Sequence, residues 1–387
     1  MKPDQIQTVD EARPLRGLPG FLVAIFIISL GYGISFPLLA VRLDALGASA
    51  QEIGLNAAMP ALGWLLMTPV LVWLRQRLGV RWVGVCFLGI ALMSWGAIAL
   101  SRDLVLWAGL RFLFGGALGM FYRIVEYWLT TSLPEASRGR HLGLYNATFL
   151  GGIILGSLLQ PGVGTGALGF VAAGSGIALG AVLFLTVPVS DIAREQGWRL
   201  RATWQIARRA PLAIVVGCAY GMFETIPAYL LSIFALGQGM GEAVAAQTLA
   251  ACALGAMAGA VPMGLLSDRV GRHKAIALGA FGGLAGAALI PFTVTAIPLF
   301  LGALFLWTFR VQGFYGAALA LLADGFDVET RLAASASFGI YYALAALLGP
   351  LLVTQAMDLW PAHGLFAAAA GVFVGVLAIL AALRRPG

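Results

Sequence analysis

The stretch Gly264-Leu-Leu-Ser-Asp268-Arg269-Val-Gly271-Arg272-His-Lys274 lies between two long apolar segments, and a relative of it, Val72-Trp-Leu-Arg75-Gln76-Arg77-Leu-Gly79-Val80-Arg81-Trp82, lies between two others. The two align without a gap, Arg77 on Arg269 and Gly79 on Gly271, 192 residues apart. The repeat continues on either side. Gly31-Tyr32-Gly33 returns as Ala219-Tyr220-Gly221, and Arg138 to Leu159 matches Arg331 to Leu352 with Gly156 on Gly349. Three matches in one order mean a duplicated chain, and weak internal symmetry in a hydrophobic sequence is the mark of duplicated transporter folds.

Composition agrees. Hydrophobic residues make up 60% of the chain, charged residues only 11%, and the mean hydropathy is +0.91. A water-soluble globule carries about 25% charged residues, so this balance excludes that class. About twelve apolar stretches reach the roughly 20 residues that a helix needs to cross a bilayer. They fall near 18–41, 51–74, 82–100, 104–131, 140–160, 165–188, 210–236, 243–266, 275–293, 297–323, 332–355 and 362–383, and are numbered spans 1 to 12 below. Each run is continuous rather than alternating, which selects helices over barrel strands. The expected fold is an all-α integral membrane protein, twelve helices in two pseudo-symmetric six-helix bundles. Its parts are a tail (1–17), a first bundle (18–188), a linker (189–209), a second bundle (210–383) and a short tail (384–387).

The polar N-terminus, with Pro3 and Pro14, lacks the apolar core of a signal peptide and is expected to be retained. Of 24 Lys and Arg, 19 fall in the tails and in the loops on the same side as the termini, while Arg42 and Arg102 alone lie in loops on the other. The positive-inside rule then places both termini in the cytoplasm. The net charge of +7 is thereby accounted for without a nucleic-acid partner. The linker carries five arginines with Trp198, Trp204 and Ile206, the pattern of a short helix lying in the headgroup layer. Cys86, Cys218 and Cys252 are scattered through spans and suggest neither disulfides nor a zinc site.

Ionisable groups inside a span cost about 2.5–3.5 kcal/mol on insertion scales and normally face a partner or water. Here they are Arg111, Arg123 and Glu126 in span 4, Glu224 in span 7 and Arg310 in span 10. Arg123 and Glu126, three apart, can pair on one helix face. Glu224 and Arg310 sit at similar depth in one half, as a cavity pair in which protonation of Glu224 frees Arg310 or as a permanent ion pair. In the repeated loop, Asp268 can cap a neighbouring helix start. Arg269 and Arg272 can meet Asp324 at the inner end of span 10, a charged latch whose first-half counterpart would use Glu126.

On these residues the chain resembles the major facilitator superfamily. Its signature, Gly-x-Leu-x-Asp-Arg-x-Gly-Arg-Lys, is similar to the second-half loop, through Gly264, Asp268, Arg269, Gly271 and Arg272. The first-half loop keeps Arg77 and Gly79 but departs from it with Gln76 in place of Asp. Arg111-Phe-Leu-Phe-Gly115-Gly116 is similar to a second motif of that superfamily. The layout of Tyr32-Gly33 with Pro37, of Arg111 with Glu126, and of Gly313-Phe-Tyr315 resembles a bacterial twelve-helix subgroup whose substrates are mostly unassigned. The resemblance implies alternating access around a cavity lined by spans 1, 4, 7 and 10. It would bring Tyr32, Arg123, Tyr220, Phe223, Glu224, Arg310, Tyr315 and Tyr341 to the substrate, with Tyr122 and Tyr342 as further aromatic candidates. It would also give Arg111 a part in proton-linked switching beside Glu224 and Arg310.

The expected function is secondary active transport of a small molecule across a bacterial inner membrane. Proton coupling, efflux and an anionic substrate are favoured, the last because three embedded arginines face two embedded acids. Uptake by symport, exchange of an organic anion or nutrient, and a ligand receptor without turnover stand as alternatives. No Ser/His/Asp grouping, phosphate-cradling loop or nucleotide-binding domain appears, so neither an enzyme nor direct ATP-driven transport is expected. No cofactor or metal is expected, and the partners are a small-molecule substrate, protons and the lipid bilayer, with the chain a monomer.

Overall fold

The computed structural model describes residues 17–132, 135–187, 201–326 and 328–383, and almost all of them are helical. Eleven helices among the described residues are long and apolar enough to cross a membrane. The remaining expected span, 140–160, lies inside the helix Glu135–Val163. The N-terminal tail, most of the linker and the C-terminal tail lie outside the described residues.

Both copies of the repeated loop are tighter than the sequence suggests. Spans 2 and 3 run as one continuous helical stretch, Ala50–Leu100, broken only at Gly79, with φ 70° and ψ 168°. Span 8, Glu242–Val270, meets span 9, starting at Arg272, across Gly271 alone, with φ 87° and ψ 151°. A side chain at either place would meet severe steric conflict, since this backbone region is essentially reserved for glycine. The signature glycine is therefore a one-residue hinge that turns one span directly into the next. The seven or eight polar residues expected as a loop belong to helix ends.

Within each half, span 1 crosses spans 5 and 6, and span 7 crosses span 11, at near-contact of their backbones. A Cβ on Gly33 would fall on the backbone of Ile153 at 2.8 Å from its Cα, and one on Gly156 would meet Leu30 and, at 2.9 Å, the nitrogen of Ile34. The aligned pair repeats the device: Gly221 sits against Tyr342, and Gly349 lies 3.1 Å from Met222 by the same measure. Tryptophans that cross between spans keep their indole N–H groups bonded. Trp95 donates to the Phe170 carbonyl at 2.8 Å and Trp307 to Gly283 at 2.7 Å, as burial of a polar group in an apolar medium demands.

Span 7 changes helix type part-way, passing from α-helix through a π-turn, Ile226–Leu230, around Pro227. Span 10 keeps helical dihedrals through Gln312, whose N–H still donates to the Thr308 carbonyl at 3.0 Å. Span 1 is a single helix that contains Pro37. A proline removes one i→i−4 bond, and a π-turn is a frequent local response at functional sites.

The two halves touch mainly through span 2 with span 11 and span 5 with span 8. Gly54 is seated against Pro350 and Thr354, Ile154 packs with Ala250 and Ala253, and Phe36 meets Tyr229 at 5.3 Å between ring centres. By their positions along the spans, these contacts lie from mid-depth to the end of the bundle remote from both termini. The short linker helix Arg201–Arg209 rests on spans 11 and 7 with Ile206 buried and Trp204 66% exposed, an amphipathic disposition.

Gly156→Val should widen the span 1–span 5 crossing and destabilise the protein by about 1–3 kcal/mol, as overpacking does. Thermal unfolding in detergent should show this, while Gly143→Ala, on an open helix face, should leave the midpoint the same or raise it slightly.

Candidate functional site

Span 4 presents Arg123 and Glu126, and span 7 presents Glu224, as three charged side chains enclosed by protein yet exposed to an internal space. That combination describes the wall of a solvent-filled cavity inside the bundle. Glu224 and Glu126, contributed by opposite halves, lie within electrostatic reach of each other. Tyr315, three residues beyond Gln312 in span 10, lies within reach of both acids and of Arg123. Local sequence explains the placement. Residues 123 and 126 share one face of span 4, and Glu224 occupies the last turn before the π-turn, where the helix is already loosened.

Each acid has a phenol donor. Tyr145 on span 5 donates to Glu126 Oε1 at 3.3 Å, and Tyr342 on span 11 donates to Glu224 Oε2. Arg123 reaches Thr68 Oγ1 on span 2 at 3.3 Å. Around Glu224 the rings of Tyr220, Tyr315 and Tyr342 pack edge to face and tilted, 5.6 to 6.4 Å between centres. The Tyr220 hydroxyl donates to Gln312 Oε1 at 3.1 Å, so this polar residue of span 10 is tied to the same aromatic group.

Several expected residues stand elsewhere. Arg310 and Glu224 do not pair: the Arg310 side chain runs along Gly282 of span 9, with its Cβ 3.1 Å from where a Gly282 Cβ would stand. Equal depth on two helices does not specify facing sides: the azimuth around the helix axis decides, and that of Arg310 points to span 9. Tyr341 is partly buried in the apolar core and its carbonyl accepts from the Cys218 thiol, while the adjacent Tyr342 takes the carboxylate. Phe223 packs into the second-half core against Trp307 at 4.8 Å and Phe373 at 5.7 Å. Tyr32, 6% exposed, packs with Phe36 at 4.5 Å and Tyr122 at 6.3 Å, and Tyr122 shares a hydrogen bond of 3.0 Å with Ser29. Tyr145 and Thr68 carried no sequence signal beyond being polar residues within apolar spans.

At the end of the bundle that carries both termini, Arg272 pairs with Asp268, bonds Ser267 Oγ at 3.2 Å and approaches Asp324 Oδ2 at 3.9 Å. Arg272, rather than the exposed Arg269, thus joins the hinge after span 8 to the end of span 10. Gly264, Asp268, Arg272, Gln312 and Gly316 line a cavity of about 260 Å³ there. In the first half Val80 stands where the second half has Arg272; Arg77, the counterpart of Arg269, lies over the Trp73 ring at 4.3 Å and Arg75 over Tyr127 at 4.5 Å, while Glu126 is turned to the cavity.

A twelve-span duplicated bundle with charged groups in a central cavity and signature hinges is the architecture of a secondary transporter. The sequence profile of the Major Facilitator Superfamily matches residues 21–350 and again 249–387, and the chain belongs to that superfamily. It is a membrane transporter. It is similar to "Uncharacterized MFS-type transporter YfkF" of Bacillus subtilis, 24% identical over 361 residues, covering 89% of this chain and 90% of that one. An MFS-type transporter of Yersinia pseudotuberculosis is 26% identical over 291 residues, 75% of each chain. Among solved structures, the nucleoside transporter NupG superposes with a TM-score of 0.79 at 12% identity, covering 96% of this chain and all of that one. A bacterial homologue of the human lysosomal transporter Spinster, in an inward-facing and unoccupied conformation, superposes at 0.73 with 14% identity, covering 96% of each. These likenesses establish the fold.

The juxtaposition of the acids has a direct check. A double-mutant cycle with Glu126→Gln and Glu224→Gln should give a coupling of at least about 0.5 kcal/mol in thermal unfolding, whereas separated sites add. Strict additivity would mean that the two carboxylates do not share one cavity.

Proposed function

We propose that the chain is a proton-coupled antiporter that exports a small molecule bearing a positive charge, using Glu224 and Glu126 as alternating sites for proton and substrate. The observation that carries this reading is the nearness of two carboxylates, Glu224 and Glu126, one from each half, with Arg123 beside Glu126. Of the arginines that tip the whole-chain count of embedded charges toward an anionic substrate, Arg310 runs along span 9 and Arg111 lies at the far end of the bundle among spans 1, 2 and 7. Two like charges close together repel, and a proton or a cation relieves that repulsion. Competition of that kind yields exchange rather than co-transport. The tyrosines around Glu224 suit a cationic group, whose attraction to aromatic faces reaches about 2 kcal/mol when desolvated.

Contacts between the halves at mid-depth and at the end remote from the termini, with the cavity acids exposed, support reading this conformation as the cytoplasm-open state. Both termini are then cytoplasmic and the membrane is the bacterial inner membrane, in keeping with the arginine distribution. Residues 189–209 link the halves, and the Arg201–Arg209 helix lies along the membrane surface. The Arg272–Asp268–Asp324 group lies within the second half and serves as the cytoplasmic latch by tying the inner ends of spans 8, 9 and 10 to one another.

In proteoliposomes, with internal pH followed during addition of lipophilic cations, organic anions and neutral solutes, proton efflux or uptake should accompany the cations. Glu224→Gln should abolish that proton movement while retaining binding, seen as thermal stabilisation. Normal proton-driven exchange by this variant would assign Glu224 to structure, and proton movement with anions alone would reverse the substrate charge. For the latch, Asp268→Asn should speed labelling of Gly316→Cys by an impermeant thiol reagent in a background without the native cysteines. An unchanged rate would remove the latch from the mechanism.

A further inference from the structure

Where spans 1, 2, 4 and 7 converge at the end remote from the termini, Arg111 is 2% exposed and Asn56 is equally buried. Both line one small cavity of about 10 Å³, walled by Phe36, Ile53, Tyr229 and Ile233. Nε and Nη1 of Arg111 and Nδ2 of Asn56 have no hydrogen-bond partner in the protein. The Tyr229 ring covers the guanidinium at 5.1 Å, so its face is occupied while these N–H groups remain open. No carboxylate lines the cavity, and no ion pair to Arg111 forms among the described residues.

A guanidinium is always charged in a protein, and burying one without a counter-charge costs several kcal/mol. The space holds one small particle. A water accepts hydrogen bonds without neutralising charge. A monatomic anion does both: it takes donors from any direction and supplies the missing negative charge. The apolar walls and the size exclude sulfate, phosphate and carboxylates. We propose that this is a halide site, occupied by chloride in the cell, which clamps spans 2 and 4 beneath Tyr229 of span 7 and so holds the far-side gate shut. Opening that gate would expose the ion to water, making the conformational equilibrium sensitive to chloride.

The test uses purified full-length protein at constant ionic strength with chloride, bromide, sulfate or gluconate as the sole anion. Chloride and bromide should raise the unfolding midpoint by several degrees, saturably, while sulfate and gluconate should not. Asn56→Asp places a carboxylate beside Arg111 and should keep the protein folded while abolishing the halide dependence. Arg111→Gln should also abolish it, and Asn56→Asp keeps the proposal testable if Arg111→Gln fails to fold. Crystals grown in bromide should show an anomalous peak beside Arg111. A midpoint indifferent to halide, an Asn56→Asp variant as halide-dependent as the parent, or a water without anomalous signal at Arg111 would each overturn the site. None of these readouts depends on a transported substrate, so the outcome is separate from that of the cation-exchange reading.

Discussion

The central constraint on this molecule is that charge cannot be left in hydrocarbon. An unpaired ion in a span is costly enough that it must face a partner or water. Glu126 and Glu224 meet that demand by opening onto one cavity between the halves, each with a tyrosine hydroxyl to share its charge. The rest of the architecture serves this. Apolar faces look outward, the close glycine crossings hold each half rigid, and the halves join at mid-depth and at one end, leaving the acids accessible from the other.

A second consequence concerns how such a bundle moves. Gly33 with Gly156 and Gly221 with Gly349 bring helix backbones to near contact inside each half, so each half is a stiff body. Between the halves the contacts are fewer and lie toward one end. The π-turn around Pro227 in span 7 follows directly on Glu224 at the cavity. Rigid bodies with a local hinge beside the ligand space are what rocking around a fixed site requires.

Much of the fold was legible in the chain. The spans follow from apolar run length, and the duplicated loop already locates the hinges, because a glycine aligned on a glycine in two helix-to-helix junctions points to one backbone conformation. The extent of that junction was not legible: polar residues around Gly79 and Gly271 look like loop, yet continue the helices because the bundle end is bathed by water and helical hydrogen bonding remains available. For the site, Glu224, Arg123, Tyr220 and Tyr315 stand out in the sequence by embedded charge and aromatic character, and the structure brings them near one another. Depth sets Arg310 beside Glu224, and the family resemblance sets Phe223 and Tyr341 at the cavity; neither signal carries azimuth, which turns Arg310 to span 9 and packs the other two in the core. Glu126, near the inner end of span 4, reads as a gate residue in the sequence, and the structure also brings it within electrostatic reach of Glu224.

The sequence by itself determined the membrane class, the number of crossings, the two-fold repeat and which few residues carry charge where charge is expensive, since these depend on local composition and on the fixed rise of a helix. Tertiary structure alone decided which of those charges meet. Whether Glu224 faces Arg310, Tyr342 or Glu126, and whether Arg111 finds a carboxylate or none, depends on helix rotation and packing between residues distant in the chain, set by glycine contacts and by the π-turn around Pro227.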